Sequence, residues 1–460
     1  MAKFRVPKRV KEFADHFLKE NFSLYIVGGA VRDYYLKIET SDYDFATDAL
    51  PQEVQKMFKR VIPTGIKHGT VTVLFKGDAY EVTTFRIDGN YEDLRHPSSI
   101  TFVRSLEEDL KRRDFTINAL AVEASTGRLI DLHEGIKDLN KKIIRAIGEP
   151  LQRFNEDALR IMRGCRLVAQ LEFTLEEETL RAMSQLAGNL KEVSGERLRA
   201  ELFKILESRR PSLGLYALNA CGALEVILPE LKAGEGVEQK GFHHEDVMCH
   251  NFSTCDAAPQ GKPLVRLAAL LHDIGKTSTK EVRANGEITF HNHELRGEAL
   301  SLEIMERLKC SNEEKERVSN LIRNHMFNYT AEWSDGAVRR FINRVGLENL
   351  DDLFDLRLAD QKAIHGQANN ENILALMGRI EDVLKESSAL NVKDLAINGN
   401  DLADLGIPRG PVMGIILNEL LESVLDDPTQ NEPKRLSTIA HNLYTTRIAL
   451  YHQRELPKQS

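Results

Sequence analysis

The chain is poor in cysteine, and its five, Cys165, Cys221, Cys249, Cys255 and Cys310, form no Cys-x-x-Cys pair. An odd number without paired spacing speaks for reduced thiols in a cytoplasmic protein. No apolar run approaches the length needed to cross a bilayer, so no membrane partner is expected. The basic start, Met1 to Val10, has no apolar stretch followed by a small-residue cleavage site, and Glu12 and Asp15 come early, so neither a secretory nor an amphipathic targeting signal is expected. Internal repeats and low-complexity tracts are absent. A surplus of positive charge is missing too. The net charge of −8 argues against a general nucleic-acid coat protein, but a local basic stripe can still hold an RNA backbone.

What is present is ordinary in bulk and unusual in detail. With 460 residues, 42% apolar and 29% charged, the chain reads as a soluble globular protein of about two to four domains. Seven of its fourteen histidines fall between His243 and His325, which marks a separate region with metal chemistry.

The first third alternates strand and helix patterns. Leu24 to Val27 is a short apolar run ending at Gly28-Gly29, and Ala30 to Leu36 reads as a helix. Thr70 to Phe75 alternates as a strand does, Gly77-Asp78 suits a tight turn, and Tyr80 to Phe85 suits the returning strand. From about Leu151 the strand signal ends. Leu159–Leu171, Glu176–Leu190 and Arg197–Leu206 are predicted helices, with a loosening at Pro211, Pro229 and Gly234-Glu235-Gly236. His244 to about Gly366 reads as helical, broken by a hairpin-like stretch at Arg283 to Phe290. The tail from about Gln367 is helical, interrupted at Gly406-Ile407-Pro408 and Asp427-Pro428.

Three features near the N-terminus suit nucleotide chemistry. A Gly28-Gly29 turn between strand and helix lets backbone N–H groups approach a phosphate at the positive end of the helix dipole. Asp42 and Asp44, two apart, point to one side of an extended segment and can hold Mg²⁺, which shares its shell with substrate phosphates. Glu81, in the returning strand, is a third carboxylate able to face the same ions.

In order along the chain, Gly28-Gly29-Ala30-Val31-Arg32-Asp33, Asp42-Tyr43-Asp44, Arg112-Arg113-Asp114-Phe115-Thr116-Ile117-Asn118-Ala119 and Glu156-Asp157-Ala158-Leu159-Arg160 closely resemble the motif series of class II tRNA nucleotidyltransferases, the CCA-adding enzymes with a polymerase-β-like head. The match covers about residues 20–230. The resemblance implies that Asp42 and Asp44 carry catalytic Mg²⁺ beside Glu81. It implies that Gly28, Gly29, Arg32, Arg112, Arg113, Asp114, Asn118 and Arg163 bind the incoming nucleotide. Glu156, Asp157 and Arg160, expected to begin one helix, would read its base without a nucleic-acid template. The chemistry agrees: a carboxylate accepts from the exocyclic amine of cytosine or adenine while a guanidinium donates to the adjacent ring nitrogen, and uracil and guanine present a carbonyl where the amine should be.

Between the catalytic strand and the Arg-Arg-Asp motif, Arg86 to Leu106 is polar and long for a loop. In the family a flexible loop here helps switch the site from CTP to ATP, so its presence implies full CCA addition or addition of A alone. Poly(A) polymerases of the same superfamily are the close alternative. The segment Thr64 to Val71 resembles the CCA-adding branch, and the basic-aromatic segment of the bacterial poly(A) branch is not seen.

Further on, His250, His272-Asp273, His293, His325 and Asp360 form a spaced series whose imidazoles and carboxylates suit transition metals, or Mg²⁺ where carboxylate dominates. The run Leu270 to Lys276 resembles the core of HD-domain phosphohydrolases. That implies His250, His272, Asp273 and Asp360 as the minimum ligand set, with His293 and His325 completing a second site for Ni²⁺, Co²⁺, Mn²⁺ or Mg²⁺. His243, His244 and His291 are candidates for buried structural histidines. For the RNA backbone, Arg153 and Arg166, placed with Arg160 and Arg163 along one helix, and Lys141 and Lys142 before it are the candidates.

The resulting expectation is a multidomain α/β plus all-α chain. It comprises a nucleotidyltransferase head with a mixed, partly antiparallel sheet over 1–150, a helical neck with the template motif over 151–232, a helical HD domain over 233–366, and a helical tail contacting tRNA over 367–460. CTP, ATP and tRNA are the expected partners. A phosphoesterase whose head only binds RNA, and an RNA-binding protein with both sites silent, are the alternatives of another class. Intact Asp42, Asp44 and Glu81 speak against a dead head.

Overall fold

Seven strands build the sheet of the N-terminal third: β1 (Leu24–Val27), β2 (Asp44–Thr47), β3 (Val61–Gly65), β4 (Thr70–Phe75), β5 (Asp78–Thr84), β6 (Ala121–Glu123) and β7 (Leu129–Ile130), in the order β3-β4-β5-β2-β1-β6-β7. The computed structural model describes residues 3–40, 42–89, 100–239, 245–368, 370–386 and 389–448. Neighbouring strands are antiparallel except β2 and β5, which run parallel with Asp44 opposite Glu81. The mixed sheet expected of the head is therefore present. The turn between β4 and β5 lies one residue earlier than the sequence suggests. Phe75 pairs with Asp78, and Lys76 and Gly77 both take positive φ (52° and 93°), the two-residue turn that matches strand twist.

One sheet face is covered by a helix the sequence reading missed, Lys8–Lys19, whose Val10, Phe13, Ala14 and Phe17 are buried at helical spacing. Phe13 meets Phe45, Phe58, Phe75 and Tyr80 with ring centroids 4.7–5.4 Å apart. The opposite face packs Val27, Ala46, Phe85 and Ala121 against Leu110 of the helix Leu106–Lys111. That packing brings Arg112 and Arg113, just beyond this helix, to the edge where β1 ends and β2 begins.

After residue 150 helices dominate, as expected, with one addition. Thr174–Leu175 pairs in parallel with Ile143–Ile144 and ties the neck to the head. The expected loosening at Pro211 and Pro229 is not found. Each proline opens a helix, Pro211–Ala220 and Pro229–Lys232, at the first-turn position where a missing N–H costs nothing. The neck joins the histidine-rich part through Arg266, 2% exposed, which donates to the carbonyls of Ala258, Leu206 and Ser208. Asp256 caps Ser212 across the same seam. A single apolar cluster runs from Phe4 to Ala440. The hairpin expected at Arg283 to Phe290 starts three residues earlier, with Lys280–Val282 paired to Ile288–Phe290. Among the described residues no helix is long and apolar enough to cross a membrane.

Candidate functional site

A cleft of about 830 Å³ opens where the head meets the neck, and most of the candidate residues from both regions line it. Its floor begins at Gly28, whose φ of +72° is a left-handed conformation suited to glycine. A Cβ there would also stand 3.3 Å from Arg113 Nη1. The helix Gly29–Leu36 starts immediately after, so its free N–H groups face the cleft. Arg32 is held by Asn118 Oδ1 at 2.8 Å and Asp33 at 2.8 Å.

Asp44 and Glu81 stand side by side on β2 and β5, and Asp42 is exposed two residues before Asp44. Desolvation in the cleft raises the Asp44 carboxyl, Asp42 raises it further, and Arg113 offsets part of this. Glu81 is raised by the same desolvation and by the charges of Asp44 and Asp42. Three carboxylates that repel one another at a phosphate-facing edge fit divalent cations. Among the described residues these three acids do not converge into a closed three-ligand group.

Arg112 and Arg113 owe their positions to Asp109, a residue the sequence reading passed over. Asp109 is 1% exposed. Its Oδ1 accepts from Arg112 Nε and Nη2 at 3.0 and 2.7 Å and from the Arg86 N–H at 3.4 Å, and its Oδ2 accepts from Arg113 at 3.3 Å. Burial works against its ionised form, yet the two arginines hold it below the usual carboxylate range. Asp114 is buried too. Phe115 N–H and Asn118 donate to its Oδ1, and Arg163 stands 2.7 Å from Oδ2. Against burial, Arg163 leads the charges that lower it. The i+3 and i+4 spacing of Arg112 and Arg113 from Asp109 was the signal available in the sequence.

The template motif departs from expectation. Glu156, Asp157 and Arg160 do not begin one helix. Glu156 closes the helix Pro150–Glu156, Asp157 is extended (φ −146°, ψ 105°), and the next helix is Leu159–Leu171. The break exists because Asp157 Oδ1 accepts from the Leu159 N–H at 3.1 Å, capping the second helix. Asp157 and Arg160 consequently do not pair. Arg160 is 8% exposed and donates to Glu156 at 2.7 Å and to the carbonyls of Arg153 and Arg112. Asp157 receives Arg197, 40 residues on, at 3.1 and 2.9 Å. Arg197 and Lys204, both from the helix Gly195–Leu206, line the cleft and went unrecognised in the sequence.

The break also corrects the RNA-contact candidates. Arg153 lies before it, off the helix that carries Arg160, Arg163 and Arg166, and turns inward to Glu156 at 3.0 Å. Arg166 is held by buried Glu201 at 3.0 Å within the cleft. Lys141 and Lys142 are exposed. The loop between Arg86 and Leu106 is a hairpin at its base, Arg86–Asp88 against Ile100–Phe102, and residues 90–99 lie outside the described residues.

The second constellation converges. Asp273 lies between two groups: its Oδ2 is 3.5 and 3.3 Å from the Nε2 atoms of His250 and His272, and its Oδ1 is 3.3 and 3.8 Å from those of His293 and His325. Asp360 Oδ1 is 3.2 Å from His250 Nε2. The Nδ1 atoms of His272, His293 and His325 face the carbonyls of Ala269, Phe290 and Ile322 at 2.6–2.9 Å, which turns each Nε2 lone pair inward. Nε2 of His293 and of His325 is buried and carries no hydrogen bond. Burial pushes His325 down to about 3, so its imidazole stays neutral. Gly275 permits the closure, since a Cβ there would lie 2.1 Å from the His293 carbonyl. His291 is exposed, against its expected burial, and His243 and His244 lie outside the described residues.

Comparison with known proteins agrees with this geometry. Residues 24–145 match the poly A polymerase head domain, 172–234 a probable RNA and SrmB-binding site of polymerase A, and 293–440 a putative tRNA nucleotidyltransferase domain 2. The CCA-adding enzyme of Lactobacillus gasseri is 35% identical over 413 residues, 89% of this chain and 91% of that one. That of Leuconostoc citreum is 34% identical over 433 residues, 93% and 94% of the two chains. Among solved structures, the Bacillus stearothermophilus CCA-adding enzyme in complex with CTP aligns with a TM-score of 0.72 at 28% identity, covering 96% of this chain and 98% of that one. The Thermotoga maritima CCA-adding enzyme complexed with tRNA shares the fold, with a TM-score of 0.55 at 20% identity, covering 96% and 100%. On relatives this similar over nearly their whole length, the chain belongs to the CCA-adding enzymes.

Proposed function

We propose that this chain adds the 3′-terminal CCA to tRNA from CTP and ATP, with no nucleic-acid template. The observation that carries the reading is one cleft lined together by the carboxylates Asp44 and Glu81, an arginine-rich wall, and Asp157 and Arg160, with Glu156 holding Arg160 from behind. Gly28 and Gly29 present backbone N–H groups to the triphosphate. Arg32, Arg112 and Arg113, with Arg163 behind Asp114, neutralise its charge, and Asn118 fixes Arg32. Asp42 and Asp44, assisted by Glu81, hold Mg²⁺. Mg²⁺ held there would supply the charge that acidifies the primer's 3′-hydroxyl and offsets the pyrophosphate leaving group. Asp157 accepts from the exocyclic amine of C or A while Arg160 donates to the neighbouring ring nitrogen. Asp42→Ala and Asp44→Ala separate the roles: each loses nucleotide addition while tRNA affinity persists, and near-normal addition by both would refute the assignment.

A second activity is favoured by the buried imidazoles around Asp273. We propose an HD-type site in which His250, His272, Asp273 and Asp360 would hold an ion and His293 and His325 would complete a second site. Its mixed donors suit Ni²⁺, Co²⁺ or Mn²⁺ as well as Mg²⁺. Such ions would lower the pKa of a bound water so that hydroxide could attack a phosphoester at neutral pH. A 2′,3′-cyclic or terminal phosphate on a damaged tRNA end is the proposed substrate, since a free 3′-hydroxyl must precede transfer. In this reading the chain divides at about 150, 232 and 366, Lys141 and Lys142 help grip the RNA with the tail beyond 366, and the protein works in the cytoplasm, a location with which its five unpaired cysteines are consistent.

A further inference from the structure

The acceptor that Asp157 offers to a base is set by a second helix. Asp157 Oδ1 already accepts twice, from the Leu159 N–H at 3.1 Å and from Arg197 Nη2 at 3.1 Å. Its Oδ2 accepts once, from the same Nη2 at 2.9 Å. A carboxylate oxygen has two acceptor sites, so Oδ1 is full and Oδ2 keeps one. A terminal carboxylate torsion is broad and roughly two-fold, and the Leu159 N–H alone would leave the second oxygen free to swing. Arg197 comes from the helix Gly195–Leu206, which is anchored in the core by Leu202, Ile205 and Leu206. It is therefore a fixed post beside a residue that lies in a chain break. Its other nitrogen, Nη1, is buried, has no hydrogen-bond partner, and belongs to a side chain that lines the same cleft. A buried donor with no partner in the protein, on a side chain that lines a cleft, is available to a ligand there.

We infer that Arg197 is a positioning residue for base selection. It clamps the Asp157 carboxylate so that the remaining Oδ2 site faces the exocyclic amine, and it presents Nη1 to an acceptor of the incoming nucleotide. The inference rests on the reading of Asp157 as the base reader. Glu156 serves Arg160 in the same way, holding the donor half of the template as Arg197 holds the acceptor half.

The test compares wild type, Arg197→Gln, Arg197→Lys, Asp157→Ala and the Asp157→Ala/Arg197→Gln double variant. Equilibrium binding of CTP, UTP, ATP and GTP is measured beside addition to tRNA. Arg197→Gln is expected to lower the preference for C over U and for A over G by about fivefold or more, the lower end of a good base contact. It is expected to raise KM for CTP and ATP more than it lowers kcat. Arg197→Lys, which keeps the charge and a donor, recovers part of the selectivity. In the Asp157→Ala background the Gln change relaxes selectivity no further, a non-additivity that a merely structural role would not produce. Relaxed selectivity in Asp157→Ala but full selectivity in Arg197→Gln, or strictly additive losses in the double variant, overturns the inference. Unchanged selectivity in Asp157→Ala would instead remove the base reader itself.

Discussion

Asp109→Asn isolates the support beneath the triphosphate wall. The substitution keeps the shape of the side chain and removes the charge that Arg112, Arg113 and the Arg86 N–H share. Asp109 is 1% exposed, whereas its arginine partners keep 19% and 20% of their side chains in water. Breaking a fully buried pair costs about 3–5 kcal/mol. The partial exposure of both partners and the acceptor that Asn retains reduce this to about 2 kcal/mol. For an unfolding unit of about 150–250 residues, such as the head with its neck, that is a fall of roughly 4–8 °C in Tm. Because Asp109 Oδ1 also takes the Arg86 N–H at the foot of the Arg86–Asp88 and Ile100–Phe102 hairpin, the loop and the arginines should loosen together. KM for both CTP and ATP should rise about tenfold, the effect of some 1.4 kcal/mol. Calorimetry and steady-state addition with tRNA ending in C or CC read the two effects. A variant with wild-type Tm and wild-type KM for both nucleotides would refute the claim that Asp109 positions the wall.

The head carboxylates should work against the protein's own stability. Asp44 and Glu81 are raised, so they bind protons more readily folded than unfolded, and the penalty is absent below the unfolded pKa of about 4 and fully present above the folded one. Asp44→Asn should therefore raise the Tm of metal-free protein at pH 7 and lose that advantage near pH 4. A lower Tm at pH 7 would contradict it. His272→Ala with Asp273→Ala should remove the rise in Tm that Mn²⁺, Ni²⁺ or Co²⁺ gives the wild type, and abolish hydrolysis of a 2′,3′-cyclic phosphate while nucleotide addition persists. No hydrolysis by the wild type with any of these metals would end the second activity. Shortening the chain between Asp88 and Ser99 should impair A addition more than C addition, and equal loss of both would point to an unfolded head.

Local signals made much of the head legible. Alternation in Thr70 to Phe75 and the apolar run before Gly28 fixed strands and a turn, because both depend on neighbours in sequence. The pairing of Asp44 with Glu81 at one edge of the sheet was legible through order and spacing, and the histidine cluster through the His272-Asp273 tandem. What escaped depends on distant partners. Arg197 reaches Asp157 across 40 residues, and nothing in Glu196-Arg197-Leu198 marks it as part of the template. Asp109 reads as one acid among Glu107, Glu108 and Asp109 on a short helix, and only its burial separates it from them. The helix break at Asp157 was hidden because Glu156 to Arg160 has helical composition throughout, and the cap is a side-chain bond no propensity reports. Pro211 and Pro229 misled for a related reason, since proline ends one helix and begins another equally well.

The most direct test of the central claim is to incubate a tRNA that ends before CCA with Mg²⁺ and each NTP, singly and in combination, and to sequence the 3′ ends. The account predicts that CTP alone gives two added residues and stops, that CTP with ATP gives CCA and stops, and that UTP and GTP give nothing. A lengthening run of A, or A added only to tRNA already ending in CC, would contradict it.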